Sequence, residues 1–172
     1  RSMLDTIGTL PTPEEVRAFL ADDHPDKRSR LVDRLLQRPE FYDYWALQLG
    51  DLLQNRVERD HDVRGRKGVR SFHQWIRQQL VAGRSWKQLT SDVLLANGGT
   101  SESPAVGYYV VTIGEKSSEE SEIADSVAQA FLGTRIGCAR CHNHPLERYT
   151  QDDYYHFVAF FSRLALQRRN SD

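Results

Sequence analysis

The chain has 172 residues, 39% hydrophobic and 10% aromatic, enough for one domain around a single core. Lys and Arg total 23 against 24 Asp and Glu, so the chain lacks the basic surplus of a dedicated nucleic-acid binder. No apolar run approaches the length of a membrane span.

The chain begins Arg1-Ser2-Met3-Leu4-Asp5, without the apolar stretch of a signal peptide, and ends in the polar run from Gln167 to Asp172. It therefore reads as one helical domain, 1–172, excised from a larger multi-domain protein, with 1–9 and 166–172 as flexible ends. Thr12 is placed to cap a first helix, with Pro13 at its first position, Glu14 and Glu15 in its first turn, and Val16, Phe19 and Leu20 on one face. A second helix is expected from about Asp26 to Gln37, with Leu31, Val32, Leu35 and Leu36 inward. A third starts near Pro39 and carries Phe41, Trp45, Leu49, Leu52 and Leu53. Residues 55–68 lose the pattern and read as a charged loop.

Helical spacing resumes with Val69, Phe72, Ile76 and Leu80, and Gly83 ends it. Ser85 caps the next helix, which bears Trp86, Leu89, Val93 and Leu94 and stops at Asn97-Gly98-Gly99. From about 98 to 117 the chain is rich in Gly and Ser and reads as one long loop with a β-like patch, Tyr108-Tyr109-Val110-Val111. A helix from about Ser118 to Leu132 follows, with Ile123, Val127 and Phe131 inward. Thr150 caps the last helix, which packs through Tyr154, Phe157, Val158, Phe161 and Leu164. The fold class is all-α: about six or seven helices, one long loop, and a cysteine-containing segment between the last two helices.

That segment, Cys138-Ala139-Arg140-Cys141-His142, holds both cysteines of the chain. Two thiols at this spacing can add across the two vinyl groups of one porphyrin, and the next residue places an imidazole under the iron. The spacing thus points to covalent haem c held by Cys138 and Cys141, with His142 as proximal ligand. Other uses of the same residues stay open. Cys138 and Cys141 with His142 and His144 have the ligand types of a zinc site, although four ligands within seven residues would crowd a tetrahedron. The thiols would also serve as a disulfide, or simply lie buried.

The stretch FLGTRIGCARCHNHPLERYTQDDYYHFVAFF, from Phe131 to Phe161, resembles the planctomycete cytochrome-c-like domain family, and the opening LPTPEEVRAFLADDHPDKRSRLVDRLLQRPEFYDYW resembles that family's start. The family pattern reads CAQCHDHP, then an aromatic, an acidic and a basic residue and WTQDDYY. Here Arg140, Asn143, Leu146 and Tyr149 depart from it, while Cys138, Cys141 and His142 do not. The resemblance implies a domain of a large secreted protein.

For a second iron ligand, Met3 lies in an expected frayed end, and His144 is too close to His142 to reach the opposite ring face. His73, on the inward stripe with Phe72 and Ile76, is the candidate distal ligand; its ordinary reading is a core histidine. His144 is expected to bond a haem propionate or backbone, and Arg140 to pair with propionates. Tyr108 and Tyr109 stand in the loop expected to cover a haem face. The cluster Arg56, Arg59, Arg64, Arg66, Lys67 and Arg70 reads as a solvated loop or as a docking surface for an acidic redox partner or extracellular glycan. The function expected is electron transfer to or from neighbouring domains or a redox partner protein, in an exported, periplasmic or cell-surface setting. An open-site haem enzyme and a non-haem interaction module held by zinc or a disulfide are the alternatives.

Overall fold

The computed structural model describes residues 1–55, 65–113 and 120–165. Among these residues the chain forms nine α-helices and two short 3-10 turns, with no strand. The helices are α1 (Ser2–Ile7), α2 (Pro13–Ala21), α3 (Lys27–Leu35), α4 (Pro39–Leu52), α5 (Gly65–Val81), α6 (Trp86–Leu94), α7 (Gly107–Ile113), α8 (Glu120–Phe131) and α9 (Gln151–Ala159). The 3-10 turns are Pro104–Val106 and Ile136–Arg140.

Three helices start as their sequences demand. Thr12, Ser85 and Thr150 each accept a hydrogen bond from the backbone N–H three residues on, and Glu15, Gln88 and Asp153 reach back to the cap. These reciprocal bonds satisfy donors that a helix N-terminus would otherwise leave open.

The core sits where α5 packs on α4, α7 and the 104–106 turn, with α7 leading on to α8 and α8 to α9. Phe72, Ile76, Leu53, Leu89, Val93, Tyr108, Ile123, Val127 and Phe161 fill it. Each such side chain contributes about 1.5–3 kcal/mol by leaving water. A second, smaller cluster joins Ala128 of α8, Ile136 and Ala139 of the 3-10 turn and Tyr154 of α9. It holds the cysteine segment against the body of the protein.

The all-α class stands, and the two helices beyond the seven read from sequence are α1 and α7. Helix α1 lies where a flexible end was expected: Met3 and Ile7 are buried against Leu35, and Gly8 at φ 69° closes the helix in a left-handed cap. Met3 is therefore a core side chain. The β-like patch at Tyr108–Val111 is helical, and the expected long loop over 98–117 contains the 104–106 turn and α7. Packing overrides the strand preference of these residues. Gly107 lets the α7 backbone close on Phe72, where a Cβ would stand 2.9 Å from the Phe72 Cβ. Val32 and Leu36, expected to point inward, are exposed, and only Leu35 of that stripe is buried in α3. Helix α2 buries none of its side chains, leaving Val16 and Leu20 exposed. Residues 56–64, 114–119 and 166–172 lie outside the described residues, and with them Arg56, Arg59 and Arg64 of the basic cluster; Arg70 is exposed.

Candidate functional site

The cysteine segment is set by its neighbours on both sides. Helix α8 ends at Phe131; Gly133, whose φ of 66° suits glycine, follows, and Thr134 N–H returns to Ala128 O at 3.2 Å. The chain then enters the Ile136–Arg140 turn, which packs on α8 and α9. Ile136 and Ala139 point inward, so Cys138, Arg140 and Cys141 point outward. Ala139, between the two exposed cysteines, is fully buried.

Helix α9 fastens the outer part of the segment. The Arg140 carbonyl accepts from Gln151 Nε2 at 2.9 Å and from the Tyr155 hydroxyl at 3.2 Å. Asn143 Oδ1 accepts from Gln151 N–H at 3.1 Å, and His144 N–H donates to Tyr149 O at 2.8 Å. The capping box of Thr150 with Asp153 keeps the start of α9 in place. Its hydrogen bonds hold the Asp153 carboxyl below the ordinary carboxylate range.

Cys138 and Cys141 are free thiols, and both are exposed. His142 is exposed too, and its Nδ1 lies 2.7 Å from Asn143 O. A carbonyl only accepts, so Nδ1 carries the hydrogen in this contact and, in the neutral ring, Nε2 carries the lone pair. A metal-ligating histidine has this arrangement: one nitrogen held by a carbonyl, the other turned to the ion.

His144 is different. Its Nε2 donates to Arg135 O at 3.1 Å, and its Nδ1 accepts from Leu146 N–H at 3.2 Å and from Glu147 N–H at 2.9 Å. Both ring nitrogens are spent on backbone. His144 thus shapes the loop between the cysteines and α9.

His73 lies half-buried on α5, which packs on α4, α7 and the 104–106 turn, whereas the cysteine segment packs on α8 and α9. The structure therefore does not bring His73 together with the motif at the level of packed elements. Tyr108 and Tyr109 are core residues: the Tyr108 hydroxyl pairs with Ser126 Oγ at 2.9 Å, and Tyr109 donates to Leu94 O at 2.7 Å. Burial pushes the Tyr108 phenol up to about 12, against the Ser126 hydrogen bond, which lowers it.

Behind the cysteines lies a residue that the sequence pattern did not single out. Asp125 of α8 stands directly under the turn: a Cβ on Gly137 would be 3.0 Å from its Oδ2. Burial pushes the Asp125 carboxyl above its ordinary value, while the charge of Arg140 pulls it back down. Tyr154 of α9 lowers the Asp125 carboxyl as well. A lone acid on an amphipathic helix gives no sign in sequence that it faces a motif thirteen positions later, counting from Asp125 to Cys138.

A groove of about 430 Å³ is lined by Ile136 of the turn with Leu132, Thr134, Arg148, Tyr149, Asp153, Tyr154 and Phe157, and by neither cysteine nor His142. That volume falls in the range of small-molecule sites. Leu132, Leu146, Tyr155 and Phe160 add exposed apolar surface from the same part of the chain. The donor set suits haem c: two exposed thiols at the correct spacing, and one imidazole with its lone pair uncommitted. It does not suit zinc equally well. Zinc needs four ligands and His144 is engaged, and among the described residues no three His, Cys, Asp or Glu side chains converge as a metal site.

Residues 1–165 match the family described as PSCyt2, Protein of unknown function (DUF1549). No curated protein and no solved structure matches the chain. Among the described residues no helix is long and apolar enough to cross a membrane.

Proposed function

The chain belongs to this PSCyt2 family, and from its own residues we propose that Cys138, Cys141 and His142 attach a c-type haem covalently, making the domain a redox module of an exported multi-domain protein. The observation that carries this reading is the state of His142: Nδ1 is tied to Asn143 O, leaving Nε2 to face an ion. The two exposed thiols supply the linkage. Each would add sulfur and hydrogen across one vinyl C=C, forming a C–S bond with the proton on the adjacent carbon and no net redox change. When bound, the haem iron supplies one-electron transfer.

The chain's own residues do the rest. Ile136 and Ala139 hold the turn down so that both cysteines stay on its outer face. Gln151 and Tyr155 pin the Arg140 carbonyl just ahead of Cys141, and Asn143 sets the ring of His142. The exposed apolar residues around the segment offer walls for a flat apolar ligand. Covalent attachment of this kind takes place outside the cytoplasm, which supports an exported, periplasmic or cell-surface location. Electron partners would be neighbouring domains of the polypeptide or a separate redox protein.

A second reading, an open iron position that takes small ligands, rests on the residues first considered for the far side of the ring. Met3 is buried beside Ile7 and Leu35, His144 has both nitrogens engaged, and His73 sits on α5, which packs on α4, α7 and the 104–106 turn. An absorption spectrum of protein produced with a haem-maturation system tests both readings. A Soret band that survives acid–acetone extraction is expected, and a shift on adding CO identifies an open position. A colourless product from that system overturns the haem assignment.

A further inference from the structure

We propose that Asp125 is the positioning residue of the Cys138–His142 segment, holding it from behind through Gly137 and Arg140. The proposal rests on the haem-attachment reading for its purpose, although the geometry exists without it.

The turn is clamped at Arg140 from two directions. Its carbonyl is held by α9, through Gln151 and Tyr155. Its side-chain charge acts on the Asp125 carboxylate of α8. Cys141 and His142 follow at once, so their direction depends on how Arg140 is held. Gly137, just before Cys138, sits so close to Asp125 that a Cβ would stand 3.0 Å from Oδ2 and 3.4 Å from Cγ and Oδ1. The carboxylate therefore lies against the backbone leading into the first cysteine, and the charge leading into the second acts on it. Helix α8 packs on the turn, so its acid is carried by a rigid element.

A partly buried carboxylate is costly unless a cation or hydrogen bonds compensate it. Here Arg140 and Tyr154 both compensate it, the charge of Arg140 more than Tyr154. An acid kept only for packing would be replaced by Asn at little cost to the turn. An acid that works through Arg140 would not.

The test uses protein with both cysteines reduced and no haem: wild type, Asp125→Asn, Arg140→Gln and the double variant. Hydrogen exchange is followed at the amides of residues 136–142 and, as a control, in α4 and α5. Asp125→Asn is expected to speed exchange in 136–142 roughly fivefold, and Arg140→Gln to do the same. The double variant is expected to be no faster than either single one, because the two residues act as one unit. The control helices are expected to stay unchanged. An unaltered 136–142 segment in Asp125→Asn, additive effects, or an equal rise in α4 and α5 would overturn the proposal. Arg140 is exposed, so its variant folds even where a change at Asp125 is poorly tolerated. The same four proteins made with a haem-maturation system give a separate readout, the fraction carrying both thioether links. A haem-free wild type there would defeat the haem reading while leaving the exchange result to decide the role of Asp125.

Discussion

The bundle of α4 to α8 and the segment from Arg135 to Thr150 are held by different forces. In the bundle, Phe72 stacks on Trp75, and Tyr108 meets Phe131 edge to face, among side chains cut off from water. In the segment, few side chains are buried, and the shape comes from side chains bonding to backbone: His144 to three groups, Gln151 and Tyr155 to one carbonyl, Asn143 to a helix start. Apolar packing sets where the segment sits. Polar fastening sets where its thiols and imidazole point.

The largest expected difference is in global stability. Phe72→Ala should cost about 3–5 kcal/mol in urea denaturation, the usual range for an emptied aromatic core site. It should speed exchange in α4 and α5 more than in 136–142. His144→Ala should cost about 1–3 kcal/mol, because two backbone N–H groups and one carbonyl lose a partner. Its effect should appear first as faster exchange at Leu146 and Glu147. Equal effects of His144→Ala on those amides and on α5 would erase the contrast between the regions. Thr150→Ala removes a capping box and should cost about 1 kcal/mol, read as a lower urea midpoint.

The smallest expected effect is a pH dependence. The folded protein holds the Asp125 proton more tightly than the unfolded chain does: burial raises its carboxyl, Glu122 adds to the rise, and Arg140 and Tyr154 oppose it. The stability this contributes is present in full below the ordinary aspartate value and is lost as pH rises through the folded one. Wild type should therefore gain on Asp125→Asn as the pH falls from 7 towards about 4. Glu15, Asp22, Glu40 and Asp153 shift the opposite way, but they occur in both proteins and cancel in the difference. A difference that is flat with pH, or that falls on acidification, would contradict the placement of Asp125.

The bundle was largely legible in the sequence because it follows simple rules. The caps at Thr12, Ser85 and Thr150 and the stripe of Phe72 and Ile76 read directly. Helix α7 did not, since Tyr108-Tyr109-Val110-Val111 has strand-like composition and becomes helical through its burial against α5 and α8. Helix α2 shows another case: its apolar spacing at Val16, Phe19 and Leu20 forecast a helix correctly, but spacing does not say whether such a face is covered, and here none of it is buried. At the site, spacing alone picked out Cys138, Cys141 and His142. It also set His142, next to Cys141, apart from His144, but could not say which backbone groups the ring nitrogens of His144 meet. Nor could it find Asp125, whose relation to Gly137 and Arg140 exists only once α8 folds over the turn.

The most direct measurement is the intact mass of the protein produced alongside a haem-maturation system, compared with a variant in which Cys138 and Cys141 are both serine. Wild type should be heavier than its polypeptide by one haem under denaturing conditions, and the serine variant should weigh only its polypeptide. A wild-type mass equal to the bare chain, or an adduct that persists without both sulfurs, would contradict covalent haem attachment at this site.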